Sequence, residues 1–410
     1  MKNRPDDDFE ETEGAVDGME IINAVPQLEG LVENIRAAET MVIGDLNGSL
    51  KVFKNALICL GAIKIERNNG VSQWKWLAGN RKLVLVGDIL ADRNAEGLMI
   101  LDKVRELRKQ AESQGGSITI VCGNHEDIAI SFLGEKFLAN PSKNTCCREP
   151  LDALNHAILP KYKYDEWSFN WQGYGILELI SKYTDYGREF EGDLLPLEVK
   201  IELDCIDGQG ENDRGVLAQL GAEAKRNMQN SPTGRVYLEE ICAMKLIDLD
   251  GDTLIFHTEP SSGILAELTA VDNISSAVEN INNHFQIGLT ALLMTTSGVE
   301  IPGNRFIELG NIFLEVNNRF FQDQVGEVQI QAYLQKLSKM GIKRIIHGHS
   351  TLDESEPHEY EAQGVQIVNV DFGAGRTSYD PDSQQVATLA TKGELSLGQK
   401  AVRRRLGKPV

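Results

Sequence analysis

Five short segments of this chain end on side chains that can hold a metal ion or move a proton. Asp45 and Asn47 close "MVIGDLN", and Asp88, Asp92 and Arg93 lie in "KLVLVGDILADR". Asn124 and His125 close "SITIVCGNH", His257 closes "TLIFH", and His347 and His349 lie in "IKRIIHGHS". Carboxylate oxygen, amide oxygen and imidazole nitrogen in one set suit borderline divalent ions such as manganese, iron or zinc, and not calcium. A bridging Asp could hold two such ions about 3.5 to 4 Å apart, which activate a shared water and clamp both oxygens of an in-line displacement at phosphorus. Each segment alone has a plainer reading, since a Gly-Asp pair after a strand is commonly just a turn. Four of the seven histidines at apolar strand ends, beside two Gly-Asp pairs, are a pattern that turns alone do not produce.

Such a site needs elements that aim its side chains at one point. "MVIGD" (41–45), "KLVLVGD" (82–88) and "SITIVCGN" (117–124) each read as a short apolar strand stopping on Gly plus Asp or Asn. Between the second and third, Leu98, Leu101, Val104 and Leu107 recur at helical spacing, so strand, helix and strand form a parallel crossover. From about 127 to about 243 the pattern turns helical and irregular, rich in Asn, Trp and Tyr, and is read as an inserted cap. The strands resume in "MKLIDLDGDTLIFHTEP" (244–260) as a hairpin on a DGD turn whose second arm ends at His257. After a second helical stretch, about 264–340, "IKRIIHGHS" (342–350) and "GVQIVNVDFGAGR" (364–376) supply two further strands. In an open α/β sheet, ligands bind beyond the carboxyl ends of the strands, where loops can bring all these groups together.

A chain of 410 residues exceeds what one core usually serves, so a main domain with a large insertion is expected. Its 41 basic and 61 acidic residues give a formal charge of −20, which disfavours nucleic acid as a partner. No apolar run is long enough to cross a bilayer and no basic-then-apolar leader is present, so a cytoplasmic protein is expected. Residues 1–25, with "DDDFEETE", read as a disordered acidic leader, and 401–410, with "RRRLGKP", as a solvated basic tail. Cys59, Cys122, Cys146, Cys147, Cys205 and Cys242 lack paired zinc-ligand spacing and read as reduced thiols.

The segments "GDLNG", "GDILADR", "GNHED", "IFH" and "IIHGHS", in that order, resemble the motif set of the calcineurin-like metallophosphoesterases, most closely their phosphoprotein phosphatase branch. GNHE is the most specific of them. The resemblance covers roughly 40–126 and 244–376 and leaves the cap unexplained. It implies an α/β fold, a β-sandwich flanked by helices, with the catalytic domain spanning 26–400 and the cap inserted in it. It implies one ion held by Asp45, Asp88 and His349 and another by Asp88, Asn124, His257 and His347, with Asp88 bridging. The nucleophile would be a hydroxide shared by the two ions, so no phosphoenzyme is expected. His125 would protonate the leaving alkoxide, Asp92 would orient His125, and Arg93 would grip the phosphate in a bidentate fork.

Departures from the family pattern carry expectations of their own. Asn47 stands where the family usually has His, and an amide oxygen is a harder, weaker donor, so manganese is the ion expected, with iron or zinc as alternatives. "GDILADR" has one residue more between Asp88 and Asp92 than the usual phosphatase motif. "GENDRGV" (210–216) resembles the segment with a second phosphate-binding arginine but precedes His257 instead of following it. Arg214 is therefore read either as a phosphate ligand or as part of a solvated turn. Tyr162, Tyr164, Trp167, Phe169, Trp171 and Tyr174 are read as packing the insertion onto its body, with a rim for an aromatic or peptide substrate as the alternative. Asp371 resembles a residue of the family's last strand and would order a ligand histidine, with Arg376 a further phosphate contact.

The activity expected is metal-dependent hydrolysis of phosphate monoesters on phosphoproteins, at Ser/Thr or Tyr. The alternatives are a phosphodiesterase or dinucleoside polyphosphate hydrolase on the same core, and a metal-binding scaffold without catalysis, which would not need His125. The long "GDILADR" loop and the large cap are also similar to the Wip-type phosphatases that intracellular bacteria secrete, which would place the protein in a host cytoplasm.

Overall fold

The computed structural model describes residues 38–68, 71–91, 94–134, 174–189, 212–295, 328–349, 359–371, 386–390 and 395–397. Asp92, Arg93, Cys146, Cys147, Cys205, His358, Arg376, the aromatic stretch before residue 174, the leader and the basic tail lie outside the described residues.

Two five-stranded sheets each hold three parallel strands, at one end of the first sheet and at the centre of the second. In the first, β1 (Ala38–Ile43) runs parallel to β4 (Lys82–Leu85), and β4 parallel to β5 (Ser117–Ile120). The antiparallel pair β11 (Val386–Ala390) and β12 (Leu395–Leu397) extends it beyond β1. In the second, β7 (Thr253–Ile255), β8 (Arg344–His347) and β10 (Val365–Asn369) are parallel. Their antiparallel edges are β6 (Asp248–Asp250) and β9 (Glu359–Ala362). The DGD hairpin lies where expected, with Gly251 at φ 57, and β9 turns into β10 through Gln363 and Gly364 at φ 53 and 77, the pairing of positive φ values that a tight two-residue hairpin demands.

Side-chain alternation sorts the strand residues into two layers. Val42, Val84, Val86, Val121, Ile255, Ile346, Val368 and Val370, drawn from both sheets, form one buried cluster, the interior of the sandwich. Their neighbours Met41, Ile43, Leu83, Leu85, Leu254, Ile345 and Ile367 join the larger core with the helices. At one edge Lys82 and Lys245 pair with the buried carboxylate of Asp248, tying β4 of one sheet to β6 of the other.

α1 (Leu50–Cys59) follows β1 and starts on Ser49, whose hydroxyl accepts from the Val52 N–H. A hairpin of β2 (Ile63–Asn68) and β3 (Val71–Trp76) comes next, and Trp74 packs 5.9 Å from Phe53 of α1. α2 (Gly97–Glu112) makes the expected crossover between β4 and β5, with Leu98, Leu101, Val104 and Leu107 buried. α3 (Asn124–Leu133) is buried at every position. It packs against α4 (Tyr174–Tyr183) and α6 (Asn212–Asn230), which fall in the stretch read from sequence as an insert, while α7 (Pro232–Cys242) packs on α2. A short α5 (Asp185–Arg188) lies between α4 and α6. Arg214 falls in the first turn of α6. α8 (Ser262–Leu268), α9 (Ile274–Met294) and α10 (Val328–Lys339) occupy the second helical stretch. Among the described residues no helix is long and apolar enough to cross a membrane.

Candidate metal centre

The candidate residues follow the carboxyl ends of β1, β4, β5, β7 and β8, where the strands stop pairing regularly and the two sheets are bonded to each other. The Val86 N–H still donates to Ile43 O at 2.9 Å, and the Gly348 N–H to His257 O at 2.7 Å. Across the sandwich, His257 Nδ1 bonds the Val86 carbonyl at 2.7 Å, and the His349 N–H donates to both Asp45 oxygens at 3.1 Å. The backbone is contorted here. Among the described residues, five other than glycine have positive φ, and four of them are Asn47 (50), Asp88 (53), Ala91 (51) and His349 (66). Such conformations cost on the order of 1–3 kcal/mol each and persist where surrounding structure dictates them, characteristically at functional sites.

Asp88, His257 and His349 are buried and offer ligand atoms that all lie within 4.8 Å of one another. Asn124 Oδ1 joins them, 2.9 Å from His257 Nε2 and 3.0 Å from His349 Nδ1. Asp88 Oδ1 is 3.4 Å from His257 Nε2, and Asp45 Oδ1 is 4.0 Å from His257 Nδ1. Asp45, Asp88, Asn124, His257 and His349 thus converge.

The chemistry of this donor set fits a cation. A carbonyl oxygen only accepts, so the bond to Val86 O places the proton of a neutral His257 on Nδ1 and leaves the Nε2 lone pair facing the oxygens of Asn124 and Asp88. Three lone-pair donors aimed at one another repel unless positive charge lies between them. The Nδ1-to-carbonyl bond is also the arrangement that typically fixes a metal-binding imidazole. His347 has its Nδ1 3.0 Å from Gly348 O, which likewise directs Nε2 as the available nitrogen. Burial holds the His347 pKa well below its ordinary value, to about 4, with His257 when protonated adding to the shift and the Gly348 carbonyl and Asp371 opposing it. It is therefore a neutral donor at neutral pH. Asn47 is buried, and its carbonyl accepts from Asn94 Nδ2 at 2.7 Å, while the next N–H, of Gly48, donates to Asp88 O at 3.2 Å.

His125 opens α3 beside this group. Its backbone N–H donates to Asp88 Oδ1 at 3.2 Å, and its Nδ1 lies 3.0 Å from Ala91 O. Glycines permit the close approach: a Cβ on Gly348 would collide with Asp45 Oδ1, and one on Gly123 with Asp88 Oδ1.

Glu126 escapes the sequence reading and is central to the geometry. Its Oε2 accepts from the N–H groups of Asp88 and Gly123 at 2.8 Å each, and its Oε1 from Ile89 at 2.6 Å and Leu90 at 2.7 Å. Burial, with the Asp88 charge, raises its pKa, against the pull of the Leu90 and Gly123 N–H groups and His257. The signal available in sequence is a Glu three residues after Gly123, half of a helix-capping box. Glu126→Ala leaves four buried N–H groups without their acceptor, and each such loss costs about 1–3 kcal/mol. The expected outcome is a clear drop in melting temperature together with metal affinity weaker by about 10- to 100-fold, read by thermal unfolding and metal titration; unchanged affinity would free Asp88 from dependence on Glu126.

No protein-family model matches the chain. Over 90 residues, 22% of this chain and 21% of the relative, it is 38% identical to Shewanella-like protein phosphatase 2 of Arabidopsis thaliana. Over 109 residues, 26% of this chain and 31% of the relative, it is 37% identical to an uncharacterized protein of Schizosaccharomyces pombe. The chain spans less than a third of the length of these curated relatives. Among solved structures it is similar to a cold-active protein-tyrosine phosphatase of a psychrophilic Shewanella species, with 14% identity, 88% of this chain and 80% of that chain covered, and a TM-score of 0.45. It is also similar to the phosphatase domain of the Legionella effector WipB, with 13% identity, 80% and 97% covered, and a TM-score of 0.35. In sequence the chain is thus similar to a Shewanella-like protein phosphatase, in keeping with the calcineurin-like resemblance that its ordered motifs carry.

Proposed function

We propose that the protein is a metal-dependent phosphatase hydrolysing phosphate monoesters on phosphoproteins. The observation that carries this reading is the convergence of Asp45, Asp88, Asn124, His257 and His349 in one buried group, with the His125 imidazole held beside it. Asp45, Asp88 and His349 would hold one divalent ion and Asp88, Asn124, His257 and His347 a second, with the Asn47 amide as a further oxygen donor. When bound, such ions supply Lewis acidity at phosphate oxygens and bring the pKa of a water close to neutral. The share of oxygen donors favours manganese.

His125 serves as the general acid. As an imidazolium its Nδ1–H is held by the Ala91 carbonyl, which leaves Nε2–H to protonate a departing alkoxide. Asp92 and Arg93 lie in the chain between Ala91 and Asn94; in this reading Asp92 orients His125 and Arg93 grips the phosphate oxygens. Protein substrates are favoured by the likeness to a curated protein phosphatase.

The test is turnover by metal-stripped protein with manganese added back, on phosphotyrosine and phosphoserine peptides beside a dinucleoside polyphosphate. Manganese-restored cleavage of a peptide is expected, and the preferred peptide identifies the hydroxyl admitted. Cleavage of the nucleotide alone would move the reading to a diphosphate hydrolase on the same core. Silence on all three with metal bound would leave a scaffold.

A further inference from the structure

Helix α2, which follows Asp92 and Arg93 in the chain, has no cap of its own. Its N-cap residue Glu96 makes no side-chain bond to the helix, because that carboxylate accepts from the Leu50 N–H at the start of α1 at 2.9 Å. The first N–H groups of a helix lack partners within it and need an acceptor from elsewhere. Here the acceptor comes from the inserted region. Glu178 of α4 accepts from the Leu98 N–H at 3.3 Å. Glu178 is only 3% exposed, and its other oxygen lies 2.6 Å from Lys182 Nζ, one turn along α4. A carboxylate also complements the positive end of the helix dipole.

The start of α2 is in turn packed into the site. A Cβ on Gly97 would lie 2.6 Å from Ile89 O, so the two backbone segments touch. Asn94 holds the Asn47 carbonyl at 2.7 Å, and Ala91, two residues beyond Ile89, presents its carbonyl to His125 Nδ1 at 3.0 Å. We propose that Glu178 is a positioning residue for the reaction: by capping α2, whose start packs on Ile89, it fixes the backbone from Ile89 to Ala91 and, through the Ala91 carbonyl, the orientation of the His125 imidazole. The insertion is then a working part of the catalytic unit, beyond any role in covering substrate. This inference rests on the phosphatase reading for its kinetic consequence, and on the contacts alone for its structural one.

The experiment compares Glu178→Ala and Glu178→Gln in the full chain with manganese, using phosphoserine, whose alkoxide needs a proton to leave, and para-nitrophenyl phosphate, whose phenolate does not. Glu178→Ala should lower kcat on phosphoserine by about tenfold or more, with KM and metal content kept and para-nitrophenyl phosphate turnover changed far less. Glu178→Gln retains an acceptor oxygen and should restore most of the loss. Amide exchange across 89–98 should quicken in the alanine variant and not in the glutamine one. An equal loss on both esters, or unchanged exchange at 89–98, would overturn the proposal. If the wild-type protein cleaves neither ester, the phosphatase reading fails, and the exchange comparison still decides whether Glu178 holds the loop. Should the alanine variant not fold, Glu178→Gln paired with Glu178→Leu gives the same comparison.

Discussion

Asp88→Asn should fold, lose both divalent ions and drop manganese-dependent turnover by a factor of at least about 10³, since Lewis-acid stabilisation is worth several kcal/mol and each 1.4 kcal/mol is tenfold. Asparagine is the informative choice because Asp88 sits at φ 53, a conformation that Asn adopts more readily than Ala. Its backbone N–H would keep the bond to Glu126, so the loop stays in place while the charge goes. The surroundings are built for that charge. With no ion bound, burial alone would push the Asp88 carboxyl upward, yet the charges of protonated His257, His125 and His349 and the His125 N–H outweigh it and bring the pKa down to about 2, a role the cations take over when the ligating imidazoles are neutral. A carboxylate kept ionised in a buried site is what bridging two cations requires, and a neutral amide cannot supply it. The check is metal content after gel filtration together with turnover. Two ions still bound in the variant would remove Asp88 as the bridge.

The ends of β1, β4, β5, β7 and β8 were legible because each follows a short apolar run that stops on Gly-Asp, Gly-Asn or His, and the α2 crossover because its leucines keep helical spacing. Their meeting was less so. His257 reaches Val86 across 171 positions and His349 reaches Asp45 across 304, and nothing local in sequence encodes those approaches; only the ordered motifs point to them. The β2–β3 hairpin was passed over although Trp74 and Trp76 alternate with polar residues, since short alternation between charged neighbours is weak evidence for a strand. The supporting carboxylates were hidden for a different reason. Glu126 reads as an acid in the first turn of a helix and Glu178 as half of a surface pair with Lys182, yet both are buried and bind backbone N–H groups. Whether a carboxylate faces water or a backbone amide is decided by tertiary packing, which a single sequence does not display.

His125→Ala should keep its metal and lose turnover on alkyl phosphates by about 10²- to 10⁴-fold, the range for removal of a general acid. The bond that His125 makes to Asp88 uses its backbone N–H, which alanine retains, so the candidate bridging carboxylate keeps its contact. What is removed is the imidazole that Ala91 orients, and the deficit should therefore grow with the basicity of the leaving group and nearly vanish for para-nitrophenolate. Unchanged turnover on phosphoserine would take His125 out of the acid role. The same dependence links this residue to Glu178. If Glu178 acts only by aiming the His125 ring, then Glu178→Ala placed on top of His125→Ala should cost phosphoserine turnover nothing further, because the ring it aims is gone. Two additive losses would instead mean that Glu178 reaches the chemistry by a route that does not pass through His125.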